Sequence, residues 1–477
     1  MTRGTWIVAV VVAFGGCRCG CSGEKREIGL ARAPNSGDPV VVVDRPVEGG
    51  GGGASVYSGP MTPEAEPNDV RDKAGPLALP GGIEGALASP TDIDFYKLEA
   101  GAARVVHVRL TGAAADAGGN DLVLSLYDAD GKPIAQSDRG PAGTLEALPN
   151  FGLAQGAAHF VSVSSFAKKE KKRKPKEAAK PTEAVSGEKP PAPGSYRLTA
   201  EVFRPAAGDE AEPNDDPAGA REVLLDEEMT GWAGWGKDRD HWKLSLAGFR
   251  GGYVIDVGIE GVEGVGLIAE LVGDGGKPIA SRKSDKGRGL RIRGLLPAAG
   301  ARHWLMRLSG SRSNPEVPYK LKTTTRELAD GDEAEPNDDP ARAITIGPLG
   351  DGLEGERRGY LDGGDVDVYR LEGVREPLSL TLSVVPPSGV DVSLRVLFGS
   401  KEIVKADTGK AGAREEVDVV RLPAGEALVV MIGGTSLGDE PDPYLLRWAS
   451  KSDLAAPAPA PTPKAPDEPT PSEDPYE

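Results

Sequence analysis

The chain has 477 residues, a net charge of −17 and three cysteines, Cys17, Cys19 and Cys21, all near its start. So much acid repels nucleic acid and attracts cations, and the cysteine-free remainder excludes disulfide staples and thiol nucleophiles. The length exceeds one ordinary core, and 65 Gly with 41 Pro point to short strands joined by many turns.

Residues 1–16 are expected to be a signal peptide. Arg3 makes the start positive, Trp6 to Phe14 is a short apolar run, and Gly15-Gly16-Cys17 is a small-residue end. The run is too short to span a bilayer. It resembles the bacterial lipobox, in which the cysteine becomes the lipidated first residue, so Cys17 is the expected lipidation site. Phe14 stands where Leu is usual, and Cys21, behind Arg18, is the second candidate. An ordinary signal peptide with bystander cysteines is the alternative. Residues 17–63 follow as a polar, Gly-rich tether with Gly49 to Gly53 in a row.

Three copies of one module come next. Glu-Ala-Glu-Pro-Asn-Asp occurs at Glu64–Asp69, Glu210–Asp215 and Glu333–Asp338. Each copy is followed by Asp-x-Asp-x-(Tyr/Trp)-(Lys/Arg)-Leu, beginning at Asp92, Asp238 and Asp365. The step from the last Asp of the first motif to the first Asp of the second is 23, 23 and 27 residues. Modules are expected over 64–203, 210–325 and 333–450. In the first, Val105, Val106, Val108 and Leu110 form a strand, as do Leu122 to Tyr127 and Phe160 to Val163. Asp128 to Pro133 is a hairpin turn, and Tyr196, Leu198 and Ala200 alternate along a closing strand. The other two modules repeat this order and close on Tyr319 and Tyr444. The fold expected is all-β: three tandem jelly-roll-like antiparallel β-sandwich domains between a disordered tether and a disordered tail.

The first module is longer because of a Lys-rich loop, 166–193, between its last two strands. The loop either contacts an anionic surface or is a solvated insertion. Nothing aromatic interleaves its lysines, against single-stranded nucleic acid. Residues 455–477 are a Pro/Ala-rich tail, expected to be extended and disordered.

In an extended segment residues two apart point the same way, so Glu64, Glu66 and Asn68 share a side, with Asp69 beside them. Asp92 and Asp94 stand two apart at the start of a strand. If that start meets the first segment, six side-chain oxygen donors surround one place. Carboxylates held so close repel unless a cation neutralises them. A hard divalent ion with six to eight oxygen ligands answers this, and calcium suits it better than magnesium. The metal set expected is therefore Glu64, Glu66, Asn68, Asp69, Asp92 and Asp94, with Glu210, Glu212, Asn214, Asp215, Asp238 and Asp240, and Glu333, Glu335, Asn337, Asp338, Asp365 and Asp367. Lys237 and Arg239 flank Asp238 and are expected to replace the ion in part, making the second site the weakest. Taken singly, Glu-Pro-Asn-Asp reads better as a turn signal; its threefold recurrence with a linked second motif shifts the reading to the ion.

The paired motif resembles the bacterial pre-peptidase C-terminal domain family and is similar to the collagen-binding modules of clostridial collagenases. The resemblance implies a compact, exported β-sandwich, often appended to secreted peptidases. It also implies calcium at Glu64, Glu66, Asn68, Asp69 and Asp92 and at their counterparts. The downstream pair is one residue tighter here than in the calcium-binding collagenase modules, so the resemblance does not carry over to Asp94, Asp240 and Asp367.

No His-Glu-x-x-His, Gly-x-Ser-x-Gly or P-loop is present. The three repeats use up every ordered stretch, so no enzyme is expected. His107, His159, His241 and His303 are expected to be packed or surface residues. The function expected is a non-enzymatic, lipid-anchored envelope protein, exported to the outer membrane or cell surface. It would be a monomer, and its calcium-supported modules would bind or organise extracellular protein or polysaccharide. The alternative is an accessory or targeting protein for a secreted peptidase.

Overall fold

The computed structural model describes residues 57–452 apart from 103, 113–118, 167–193, 374 and 436–441. The signal peptide, Cys17, nearly all of the tether, nearly all of the Lys-rich loop, and the tail lie outside the described residues. Within them there is no α-helix.

The first repeat contains β1 (Thr62–Pro63), β2 (Gly75–Leu77), β3 (Gly81–Ala86), β4 (Ile93–Glu99), β5 (Arg104–Gly112), β6 (Leu122–Tyr127), β7 (Pro133–Ser137), β8 (Glu146–Leu153), β9 (Ala158–Ser165) and β10 (Ser195–Phe203). The second contains β11 (Arg221–Val223), β12 (Glu228–Ala233), β13 (Arg239–Ser245), β14 (Tyr253–Ile259), β15 (Leu267–Val272), β16 (Pro278–Lys283), β17 (Leu290–Leu295), β18 (His303–Gly310) and β19 (Asn314–Glu327). The third contains β20 (Ile344–Leu349), β21 (Glu354–Gly359), β22 (Val366–Gly373), β23 (Leu378–Val385), β24 (Asp391–Phe398), β25 (Lys401–Ala406), β26 (Glu415–Leu422), β27 (Ala427–Thr435) and β28 (Tyr444–Ser452).

Each repeat builds two sheets. In the first their orders are β1-β3-β10-β5-β8 and β2-β4-β9-β6-β7; the second and third repeat this without the short β1 strand. Alternating side chains face inward, as the period of two requires. Val106, Val108 and Leu110 of β5 meet Leu124, Leu126, Val161 and Val163 of the other sheet in one buried cluster. Corresponding clusters occupy the second and third repeats. The hairpin turn forms where the sequence places it: Asp128 N–H donates to Lys132 O (3.0 Å), Gly131 N–H donates to Asp128 O (3.0 Å), and Gly131 has φ 84°.

The expectation of three separate, jelly-roll-like antiparallel sandwiches is corrected. The described residues between 57 and 452 form one compact unit, a continuous, solenoid-like β array rather than three separate domains. The reason lies in the segments between repeats, which are tied to strands of the repeats on either side by isolated β-bridges rather than hanging free as linkers. Glu210 N–H donates to Thr230 O of β12 (2.8 Å), while Glu212 N–H donates to Asn150 O of β8 (2.8 Å) and Gly152 N–H donates to Glu212 O (2.7 Å). At the next boundary Glu333 N–H donates to Arg358 O (2.9 Å), Glu335 N–H to Gly294 O (2.8 Å) and Leu296 N–H to Glu335 O (2.7 Å). Backbone hydrogen bonding therefore runs from β1 to β26 by way of these segments, and each repeat contacts its neighbour in the chain, as in a one-dimensional repeat array.

Side chains cross the boundary too: Trp235, from the second repeat, is part of the first repeat's core. The pairing is not wholly antiparallel either, because β1 runs parallel to β3, and β2, β11 and β20 run parallel to β4, β13 and β22.

Candidate metal centre

Each acidic motif crosses from the preceding segment onto its own repeat, with a cis Glu–Pro bond in all three copies: Glu66-Pro67, Glu212-Pro213 and Glu335-Pro336. The carboxylate before the proline folds back on the chain. Glu66 Oε2, Glu212 Oε2 and Glu335 Oε2 accept from the backbone N–H of Asn68 (2.8 Å), Asn214 (2.6 Å) and Asn337 (2.6 Å). The first glutamate of each motif instead accepts from its own sheet, from Ala86 N–H (2.9 Å), Trp232 N–H (2.8 Å) and Tyr360 N–H (2.5 Å).

The closing tyrosine of each repeat reaches the same place. Tyr196 Oη donates to Asp94 Oδ2 (2.6 Å), and Tyr319 Oη donates to Asp240 Oδ2 (2.7 Å). Tyr444 Oη instead pairs with Tyr369 Oη (2.7 Å), which donates to Glu333 Oε2 (3.4 Å). The first and last parts of each repeat are thereby pinned at one point. Glycine makes room for this clasp: a Cβ at Gly85, Gly231 or Gly359 would strike the tyrosine ring and the first glutamate of its own repeat.

Carboxylates converge in every repeat. Glu66, Asp92 and Asp94 each bring an oxygen within 4.8 Å of the others, as do Glu210, Glu212 and Asp240. In the third repeat Glu335 is shared by two such groups, one with Glu333 and Asp367, the other with Asp338 and Asp365. The motifs therefore meet as expected, with a different ranking of residues. Asp94, Asp240 and Asp367, which the resemblance does not reach, are the buried centre of each cluster. Asp69 is exposed, and Asp215 accepts a backbone bond from Arg239 N–H (3.1 Å) outside the converging group. Asp92 and Asp238 are buried and accept from Ala88 N–H and Gly234 N–H.

The clusters differ in cover. In the first repeat Glu66 is exposed and Glu64 half-buried. Asn68 is buried with its amide 2.9 Å from Glu66 Oε2 and 3.1 Å from Asp94 Oδ1. In the second repeat the first repeat's β8 seals the cluster, and Asn150, at φ 58°, donates from Nδ2 to Glu210 Oε1 (3.4 Å). Four buried oxygens there have no hydrogen-bond partner: Glu212 Oε1, Asn214 Oδ1, Asp238 Oδ1 and Asp240 Oδ1. Such groups are costly to leave unpaired. Burial pushes Glu210 up to about 7 and raises Glu212, Asp238 and Asp240 well above the ordinary carboxyl range. Lys237 and Arg239, expected to stand in for the ion, are both exposed.

In the third repeat a cation does reach the carboxylates, and it comes from the second. Arg282 of β16 is buried and places Nη2 3.2 Å from Glu335 Oε1 and Nη1 3.3 Å from Asp338 Oδ1, with Nη2 also on Asp365 Oδ1. Arg293 of β17 pairs with Asp362 beside it and lies 4.0 Å over the Tyr360 ring. Neither arginine nor Asn150 was singled out in the sequence, since each occurs once and carries no repeat signal. The closing tyrosines do recur in register, and that recurrence was the available sign of a role at the cluster.

The donors present fit a hard cation. They are all oxygen, they include buried and unpartnered atoms, and no cysteine or histidine stands among them.

No family model matches this chain, and no curated protein matches it. Similar solved structures include the CUB1-EGF-CUB2 domain of human MASP-1/3 (9% identity, 52% of this chain and 97% of that one, TM-score 0.16). Another is the M60 catalytic domain with the CBM51-1 and CBM51-2 domains from Clostridium perfringens ZmpB (8%, 72% and 54%, TM-score 0.16). A third is a protein of Sulfolobus Turreted Icosahedral Virus (8%, 75% and 81%, TM-score 0.16). Similarity at this level carries no argument about fold or function.

Proposed function

We propose that this chain is a non-enzymatic, lipid-anchored protein of the cell envelope whose calcium-supported repeats bind or organise extracellular protein or polysaccharide. The observation that carries the calcium reading is the buried cluster of Glu210, Glu212 and Asp240, with four unpartnered oxygens in the same repeat. Burying several carboxylates without a counter-charge is expensive, and the cluster sits where one repeat's strand is held against the next. A divalent cation there supplies the missing positive charge and holds the joint closed. The rest of the reading rests on the sequence: the signal peptide with Cys17 for anchoring and export, and the lack of a catalytic motif. Weak sites in tandem gain avidity when presented on one rigid array.

Calcium is expected to raise the melting temperature of the full chain and EGTA to lower it. A site filled at a hundred times its Kd adds about 2.7 kcal/mol, several degrees for an array of this size. No calorimetric heat and no thermal shift at millimolar calcium would sink the calcium reading. The binding role is tested by capturing isolated envelope polysaccharide and envelope protein fractions on the full chain, with and without EGTA. Retention of neither in either buffer counts against it.

A further inference from the structure

The three acid clusters occupy equivalent places; Asp240 Oδ1 and both oxygens of Asp367 are buried and unpartnered alike, yet two other pairs of corresponding atoms in the second and third repeats meet different fates. Glu212 Oε1 and Asp238 Oδ1 are buried without a hydrogen-bond partner. Their counterparts, Glu335 Oε1 and Asp365 Oδ1, both bind the guanidinium of Arg282. Arg282 also takes Asp338, so it engages three of the six side chains that the motifs bring to the third cluster.

The neighbouring repeats explain the asymmetry. Pro133-Ile134-Ala135-Gln136-Ser137 in β7 corresponds to Pro278-Ile279-Ala280-Ser281-Arg282 in β16. Each strand belongs to the repeat that precedes the cluster in question. Ser137 therefore stands where Arg282 stands, but it turns back into its own repeat and donates to Glu146 Oε2 (2.6 Å). Nothing cationic at that position reaches Glu212 or Asp238. Arg282 is buried, with 2% of its side chain accessible, so it is a fixed part of the joint rather than a surface charge that has swung in.

We propose that Arg282 is the resident cation of the third repeat: it occupies the position that a divalent ion takes in the second and closes that position to metal. The proposal rests on the cation reading of the second repeat's cluster. A guanidinium and a divalent ion sharing Glu335 would set two positive charges against each other across one carboxylate in a buried site, which disfavours the ion while Arg282 is in place. The joint between the second and third repeats is consequently locked at any calcium concentration, whereas the joint between the first and second depends on the ion.

The test is the number of calcium ions held by the full chain, measured by titration calorimetry and by metal analysis after desalting. Arg282→Ala is expected to hold one more ion than the wild type, Arg282→Lys to hold the same number, and Glu212→Gln to hold one fewer. A folded Arg282→Ala chain with no added ion overturns the proposal. If Arg282→Ala does not fold in EGTA, calcium is expected to restore its near-ultraviolet circular dichroism, and failure to do so overturns it equally. The two readings fail separately. A wild type that binds no calcium removes the proposed calcium support, whereas the difference between Arg282→Ala and wild type judges Arg282 alone.

Discussion

In EGTA, the melting temperature of this chain is expected to rise as the pH falls from about 8 towards 5, by several degrees. Most proteins lose stability in that direction because their paired carboxylates must be protonated. Here burial does the opposite. It pushes Asp94, Glu210 and Glu335 up to about 7 and raises Glu212, Asp238, Asp240, Glu333, Asp365 and Asp367 well above their ordinary values.

In the unfolded chain the same groups titrate near 4. Between those limits the folded chain holds protons that the unfolded chain has released. The resulting stability is fully present below the unfolded value and is lost as the pH rises through the folded one. Each tenfold difference in proton affinity is about 1.4 kcal/mol, so roughly 1–3 kcal/mol per cluster is at stake after allowance for solvent near the open first cluster.

His107 works the other way. Burial lowers it to about 4, and it packs 4.5 Å from the Phe203 ring and 6.0 Å from that of Trp232. Its contribution is lost as the pH falls below about 6.5, towards its folded value. One imidazole is outweighed by three carboxylate clusters. Saturating calcium is expected to flatten the profile in part, because a cation binds the ionised carboxylates of the clusters open to it and competes with protons for them, while the third cluster, held by Arg282, keeps its pH dependence. Thermal melts across this pH range decide the matter, and a melting temperature that falls steadily with acid in EGTA would contradict the electrostatic account.

Trp235→Ala is expected to cost about 3–5 kcal/mol, the usual penalty for emptying a large aromatic site, and to do its damage in the wrong repeat. By sequence Trp235 belongs to the second repeat, on the turn between β12 and β13. Its ring lies in the first repeat's core, 6.1 Å from Phe151. Hydrogen exchange read by mass spectrometry is expected to show lost protection in β5 and β8, with the third repeat unchanged. Loss confined to β12 and β13 would mean that the ring is dispensable to the first core.

The sequence made the repeat, its acidic motifs and its strands legible because they recur. Alternation in Tyr196-Arg197-Leu198-Thr199-Ala200 reads directly as a strand with one buried face, and so it is in β10. The joints were not legible, for the same reason. Asn150, Trp235, Arg282 and Arg293 each occur at one boundary only, so comparing copies averages them away. Reading the intervening segments as linkers also hid the backbone pairing of Glu212 and Glu335 with the repeat before. That pairing buries Asp240 and Asp367 and turns a string of domains into one array. Charge alone could not show which basic residue would answer the acids. Lys237 and Arg239 are adjacent in sequence but face solvent, whereas Arg282 is 53 residues from Glu335 along the chain and in contact with it.

The strand order has a consequence for how the chain is made. In the first repeat the last two strands are central: β10 lies between β3 and β5, and β9 lies between β4 and β6. The earlier strands form only pairs, β1 with β3, β5 with β8, β2 with β4 and β6 with β7, and these pairs become whole sheets only when β9 and β10 join them. Contacts of such long sequence separation close slowly, and a partly synthesised repeat exposes its apolar strands meanwhile. Assembly during synthesis is therefore stepwise, one whole repeat at a time, with each finished edge serving as the template on which the next Glu-x-Glu-Pro segment is laid. Protease protection of stalled nascent chains should show the first repeat only after Phe203 has cleared the ribosome, and protection of chains ending before Ser195 would refute that order.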